Sequence, residues 1–191
     1  FVVTKREHNV VLEMERNKNY WDTKSPGNVT KFILSPIKEN ATRVSALLSG
    51  GVDFISPVPP QDFGRIESDG KVKLVTINGG RIITFQMNQE RVEAFKDARV
   101  RQAIAYAVNN SGIVAKIMKG KAMAAAQQSP PGYVGYKKSL QPRYDLAKAK
   151  ALMKAAGYEK GFEITMMAPN NRYVNDAKIA EATAQMLGKI G

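Results

Sequence analysis

The sequence predicts a mixed α/β fold (α+β mixed), because segments with the two-residue alternation of strands are interleaved with segments carrying apolar residues at helical spacing. VTKFILSP (29–36) and KVKLVTI (71–77) are of the first kind, and KDARVRQAIAYAVN (96–109) is of the second. Residue usage supports the reading. With 43% hydrophobic and 24% charged residues over 191 positions, the chain has the balance of a folded protein and the length to bury a core.

The elements follow in order. The first residues read as a strand, and NVVLEMER (9–16), with Val10, Val11, Leu12 and Met14, suits a half-buried one. The run at 29–36 is another, closed by Pro36. ENATRVSALLSGG (39–51) places Ala41, Val44, Leu47 and Leu48 on one face of an amphipathic helix, which Gly50 and Gly51 can stop. VDFIS (52–56) predicts a short strand. In PVPPQDF (57–63) three prolines in four residues exclude a continuing ladder and predict a rigid turn into a short helix. KVKLVTI then alternates with Val72 and Leu74 on one face, and RIITFQMN (81–88), beyond Gly79 and Gly80, is a β-branched and aromatic run that reads as a further strand.

Beyond residue 88 the pattern turns helical. Asp97 is the expected N-cap of a helix whose stripe is Val100, Ala103, Ile104, Ala107 and Val108. Arg99 and Arg101 leave that helix in different directions, so one ligand could not easily be held by both. A short helix is expected from about Ser111 to Lys119, ending at Gly120, and residues 127–144, with Pro130, Pro131, Gly132, Gly135 and Pro142, predict a long irregular loop. Asp145 caps a helix carrying Leu146, Ala149, Leu152, Met153 and Ala156, with Gly157 as its stop. FEITMMAP (162–169) alternates as a strand, and Asn175 or Asp176 opens a last helix with Ile179, Thr183, Met186, Leu187 and Ile190 on one face. No internal repeat is visible.

The net charge of +12 is unevenly placed: residues 1–78 carry 11 Lys/Arg against 9 Asp/Glu, and residues 79–191 carry 18 against 8. Such asymmetry can mark a nucleic-acid or anionic-membrane surface. Here the lysines stand singly along helices, as in DLAKAKALMKAAG (145–157), which favours a solvated face, and no nucleic-acid partner is expected. The lack of cysteine excludes a disulfide framework, a thiolate metal site and a Cys nucleophile. No apolar run approaches the ~18 residues of a membrane span, and FVVTKREHNVV lacks the order of a signal peptide. Any membrane association is therefore expected to run through a partner or through an anchor outside this chain, and both ends read as cut from a longer protein.

Catalytic constellations are poor, and no enzyme activity or cofactor is expected. The single histidine, His8, reads as a surface residue, and without a second imidazole no metal site is expected. NGGR (78–81) lacks the spacing and the Lys-Ser/Thr of a phosphate-binding loop and reads as a turn between strands. Asn19, Tyr20 and Trp21 could stack on a ligand, although such a pair more commonly packs, and Met166-Met167 reads as core. The candidate site is APNNRYVND (168–176), which joins an apolar strand to a capped helix and gathers Asn170, Asn171, Arg172, Tyr173 and Asn175. Strand-to-helix loops are where α/β proteins hold ligands. An arginine there can take a carboxylate through two parallel N–H bonds, with a tyrosine ring closing the pocket. From these residues alone, an exposed loop without a ligand is an equal reading.

ERNKNYW, KENATRVSALLSGGVDF, FKDARVRQAIAYAV, RYDLAKAKALMKAAGY and NDAKIAEATAQMLGKIG, in that order and spacing, resemble the family 5 extracellular solute-binding proteins, the dipeptide and oligopeptide receptors of ABC importers. The resemblance covers nearly the whole chain. It implies a segment of a two-lobed periplasmic-binding-protein-like fold of type II, peptide-receptor class, which closes on a solute without catalysis. Residues 1–80 would then be part of the first lobe, 81–88 an inter-lobe crossover strand, and 89–191 part of the second lobe.

The implied partners are a small peptide or peptide-like solute and the membrane subunits of the transporter. The implied location is the periplasm or the exterior of the cell envelope. Arg172 matches the arginine that takes the peptide carboxylate in dipeptide receptors, with Tyr173 and Asn171 beside it as ligand-binding residues, and the acidic residue for the peptide amine would lie beyond Gly191. The RVRQAI helix is a structural signature of the second lobe, which makes Arg99 and Arg101 anchors for neighbouring loops. Asn109-Asn110 stands where the family often has an acidic-basic pair, which weakens any salt bridge at that helix end. Because the family also takes up nickel complexes, glutathione, opines and haem, the resemblance does not name the solute. The charge of residues 79–191 keeps a second reading open, a basic module binding anionic polymers or lipid headgroups.

Overall fold

A computed structural model describes residues 1–24 and 27–191, and it has the mixed α/β build. The chain divides into two compact units, Phe1–Val58 and Pro59–Gly191. The first holds strands β1 (Val2–Glu7), β2 (Val11–Glu15) and β3 (Lys31–Leu34) and helix α1 (Asn40–Leu48). The second holds α2 (Phe63–Glu67), α3 (Ala98–Ala107), α4 (Asn110–Lys116), α5 (Leu146–Ala155) and α6 (Asp176–Leu187).

In the first unit the strands form one antiparallel sheet in the order β1-β2-β3. The β1–β2 hairpin closes with Val10 N–H donating to Glu7 O at 3.1 Å, and Asn9 takes the left-handed conformation (φ 59°) that asparagine tolerates better than most residues. Between β2 and β3, Met14 faces Phe32 and Glu13 faces Ile33, while Lys31 Nζ reaches Glu13 Oε2 at 3.0 Å. Helix α1 buries Val44 fully, as its stripe requires, and Gly50 (φ 76°) ends it. Arg43 is buried as well, which the stripe does not foretell. Its guanidinium donates to Ile37 O (2.8 Å), Pro57 O (3.0 and 3.1 Å) and Asn40 Oδ1 (2.5 Å), so carbonyl and amide oxygens replace the counter-ion a buried charge otherwise needs.

Four expected strands, at 52–56, 71–77, 81–88 and 162–169, are not strands among the described residues. The physical reason is that alternation prepares a strand but only a neighbouring strand makes one, through ladder hydrogen bonds that none of these segments receives here. The alternation survives in burial at 71–77: Val72 and Leu74 are half-buried, whereas Val75 and Ile77 are 70% and 87% exposed.

The second unit is built on α3 packed against α5. Val100, Ala103 and Ala107 meet Ala149 and Met153 in a core that also takes Phe95 and Ile190. The alanines let the two backbones approach closely, and the aromatic rim is set by Phe162, edge-on to Phe95 at 6.1 Å and tilted on Tyr158 at 5.1 Å. Truncating Met153, which is 3% exposed, to alanine costs about 2–5 kcal/mol by the usual transfer and cavity terms. Both helices start as read: Asp97 accepts Arg99 N–H at 2.7 Å, and Asp145 accepts Lys148 N–H at 2.9 Å. Helix α4 ends at Lys116, earlier than expected, and the chain turns away through Lys119 (φ 50°) and Gly120 (φ 75°). At its start, Asn109 Oδ1 accepts Gly112 N–H at 2.8 Å and Asn110 Nδ2 donates to Ala125 O at 2.8 Å, so the asparagine pair supplies a cap and a loop tie.

Candidate functional site

The loop before α6 is wound around one carboxylate. Asp176, the first residue of α6 and 7% exposed, accepts N–H from Arg172 (2.8 Å), Tyr173 (2.9 Å) and Ala177 (2.9 Å). Burial pushes this carboxyl up, but the Tyr173, Arg172 and Ala177 N–H groups together outweigh it and hold the group below its ordinary value. Asn175 is left-handed (φ 57°), and its Nδ2 donates to Ile117 O at 2.9 Å, tying the loop to the end of α4. The backbone of Arg172 and Tyr173 is therefore held at both ends.

Two guanidiniums share the Tyr173 ring. Arg172 Cζ and Arg81 Cζ each lie 5.2 Å from its centroid, a contact worth about 0.5–1 kcal/mol where exposed. Arg81 and Arg172 are exposed and Tyr173 is half-buried. No carboxylate lies in ion-pair range of either arginine among the described residues. Asn171 is exposed on the same loop and makes no hydrogen bond among the described residues. The structure thus joins Arg172 to Tyr173, leaves Asn171 beside them, and adds Arg81, which sequence reasoning missed. NGGR looks like any turn, and nothing local says that its arginine returns to Tyr173. The glycine before it lets a ring approach: a Cβ on Gly80 would sit 2.6 Å from the Tyr133 hydroxyl oxygen, so a larger residue there would make the Tyr133 side chain shift.

Residues 1–191 match the family described as bacterial extracellular solute-binding proteins, family 5 middle. The chain belongs to that family. The glutathione-binding protein GsiB of Salmonella paratyphi A is 30% identical over 183 residues, which is 94% of this chain and 35% of the relative. Among solved structures, the ABC transporter-associated periplasmic binding protein DppA of Helicobacter pylori, in complex with peptide STSA, matches with a TM-score of 0.81 and 26% identity over 99% of this chain and 36% of that one. The dipeptide binding protein from Pseudoalteromonas sp. SM9913, in complex with Met-Leu, has the same fold at a TM-score of 0.77 and 21% identity, covering 99% of this chain and 38% of that one. The fold of this family 5 chain is accordingly a segment of the two-lobed periplasmic-binding-protein architecture, and the chain spans about a third of the length of these relatives.

Elsewhere in this family 5 segment, charged and hollow features are accounted for by packing. Arg99 binds Asp97 through Nε (3.0 Å) and Nη2 (2.6 Å) and donates from Nη1 to Ala155 O (2.7 Å), joining the start of α3 to the end of α5. Arg101 Nη1 donates to Phe95 O (2.7 Å) and Lys96 O (2.9 Å). A cavity of about 420 Å³ lies among Ile104, Met153, Phe162, Ile164, Met166 and Leu187. Its walls are mostly apolar and Arg172 is not among them, so it is a hollow beside the core and unsuited to a charged solute. Met166 lines it, but Met167 is 91% exposed, against the core reading of both. Tyr20 and Trp21 lie 5.4 Å apart, with Trp21 83% exposed, so their rings pack on each other and not into a core. His8 is exposed, and no metal-ligand grouping occurs among the described residues.

Proposed function

We propose that this chain is the central part of a non-catalytic receptor that delivers a small peptide or peptide-like solute to the membrane subunits of an ABC importer, in the periplasm or at the exterior of the cell envelope. The observation that carries the reading is Arg172: its backbone is fixed by Asp176, its guanidinium rests over Tyr173, and its donors are not spent on any carboxylate of the described residues. Arg172 takes the solute carboxylate through paired N–H bonds, Tyr173 walls the pocket, and Asn171 supplies an amide to the peptide backbone. Glutathione and peptide, named for GsiB and DppA, both present such carboxylates. The lobe division belongs to the same proposal, with residues 1–80 in the first lobe, 81–88 as the crossover between lobes, and 89–191 in the second. The compact units at Val58 and Pro59 describe packing within this third of the protein alone.

Calorimetry with a peptide library tests the reading. The full-length receptor should bind at least one short peptide, and the 191-residue chain should bind it far more weakly, because a closing receptor gains affinity by desolvating the solute between two complete lobes. Equal affinities would sink the idea. Raising salt distinguishes this reading from binding of anionic polymers, which weakens steeply with ionic strength while a clamped peptide responds little.

A further inference from the structure

We infer that Arg81 is a second cationic arm of this site and selects solutes with two carboxylates. The inference rests on the peptide-receptor reading and extends it. Asp176 occupies the N–H groups of Arg172, Tyr173 and Ala177, so these three donors of the loop and the start of α6 are already taken. The charge to hold an anion arriving here must come from side chains. Two are in place, Arg81 and Arg172, each 5.2 Å from the Tyr173 centroid, so their Cζ atoms are no farther apart than twice that distance. Neither is neutralised by a carboxylate among the described residues. One solute carboxylate satisfies one fork and leaves the other cation uncompensated in the closed, desolvated site, whereas two carboxylates balance the charge. The solute class is a short peptide carrying a second carboxylate besides its C-terminus.

The test uses the full-length receptor and two tripeptides that differ in one charge, Ala-Ala-Glu and Ala-Ala-Gln, titrated by calorimetry. Wild type should prefer Ala-Ala-Glu by about tenfold or more, the scale of one added charge pair. Arg81→Ala should abolish the preference, binding Ala-Ala-Glu more weakly and Ala-Ala-Gln at least as tightly as wild type once the uncompensated cation is gone, Arg81→Lys should keep part of the preference, and Arg172→Ala should weaken both peptides. No preference in wild type, or an unchanged preference in Arg81→Ala, overturns the inference. If neither peptide binds wild type, the peptide reading falls, and glutarate, a dicarboxylate without a peptide bond, decides the rest. Thermal stabilisation by glutarate in wild type but not in Arg81→Ala upholds the two-arginine site, and an equal response of both proteins overturns it.

Discussion

Two helix starts in the second unit, Asp97–Arg101 and Asn171–Asp176, each combine an aspartate with arginine and use the arginine differently. At each, an aspartate collects backbone N–H groups: Asp97 takes Arg99 N–H, and Asp176 takes those of Arg172, Tyr173 and Ala177. The arginines part company. Arg99 is spent on Asp97 and Ala155 O, and Arg101 on the carbonyls of Phe95 and Lys96. Among the described residues the Arg172 guanidinium has only an aromatic face. A guanidinium carries five N–H donors, and what already occupies them separates a brace from a ligand arm more surely than exposure does.

The sharpest way to break that contrast is to truncate the free arginine. In the full-length receptor, Arg172→Ala should lose about 2–5 kcal/mol of peptide binding, because the carboxylate would be buried without its partner. Stability should change by no more than about 0.5 kcal/mol, as for other exposed side chains. Calorimetry and thermal unfolding read the two quantities separately. Normal binding by Arg172→Ala would return this loop to the status of a solvent-exposed connection.

Asp176→Ala comes next. It removes the carboxylate that organises the loop and should cost about 1–3 kcal/mol in stability by leaving part-buried N–H groups unpaired. Affinity should fall as well, since Arg172 loses its fixed backbone. Asp97→Ala, the matching change at the other helix start, should cost about 1 kcal/mol through the lost cap and leave affinity alone. If both variants affect binding equally, the two starts do not differ in function.

The contrast was only half legible in the sequence. Asp97 and Asp145 were readable as caps because a cap is a local event, settled within three residues. Arg99 and Arg101 could be read as anchors from family resemblance, but the atom Arg99 holds, the carbonyl of Ala155, depends on how α3 meets α5, whereas Arg101 reaches Phe95 O just before its own helix. Arg81 was illegible for the same reason: its meeting with Tyr173 is tertiary. The burial of Arg43, which lies outside the apolar stripe of its helix, depends on the carbonyls of Ile37 and Pro57, outside that helix. The missing strands at 71–77 and 81–88 teach the converse, that a pattern can be right about which residues alternate and still need a partner to become structure.

Removing the other brace is a smaller test. Arg101→Ala should lower stability by about 1–2 kcal/mol, as the Phe95 and Lys96 carbonyls lose their donor, with no change in peptide affinity. Chemical denaturation measures the first, and calorimetry the second. Should Arg101→Ala bind poorly while Arg172→Ala binds normally, the roles of the two arginines are exchanged.

The smallest effect concerns acid. Both aspartates are held below the ordinary carboxylate range: Asp97 first by its side-chain bond to Arg99 and then by the Arg99 N–H, and Asp176, despite its burial, by the surrounding N–H groups. A carboxyl whose folded pKa lies below its unfolded value, about 3.9 for aspartate, stabilises the fold above that value. The contribution is lost as pH falls through the folded pKa, because the unfolded chain then binds the proton more readily. From neutral pH down to about 5 these two groups should leave stability flat, and below about 4 both should pull it down. Asp97→Asn keeps a capping oxygen for the Arg99 N–H but removes one titrating group, so the acid decline of the full-length receptor should become shallower while its neutral-pH fold is kept. The change should be slight, since Asp97 is partly open to water. Denaturant unfolding at a series of pH values reads the slope directly, and a decline as steep in Asp97→Asn as in wild type would mean that the Asp97–Arg99 bond contributes nothing to folding.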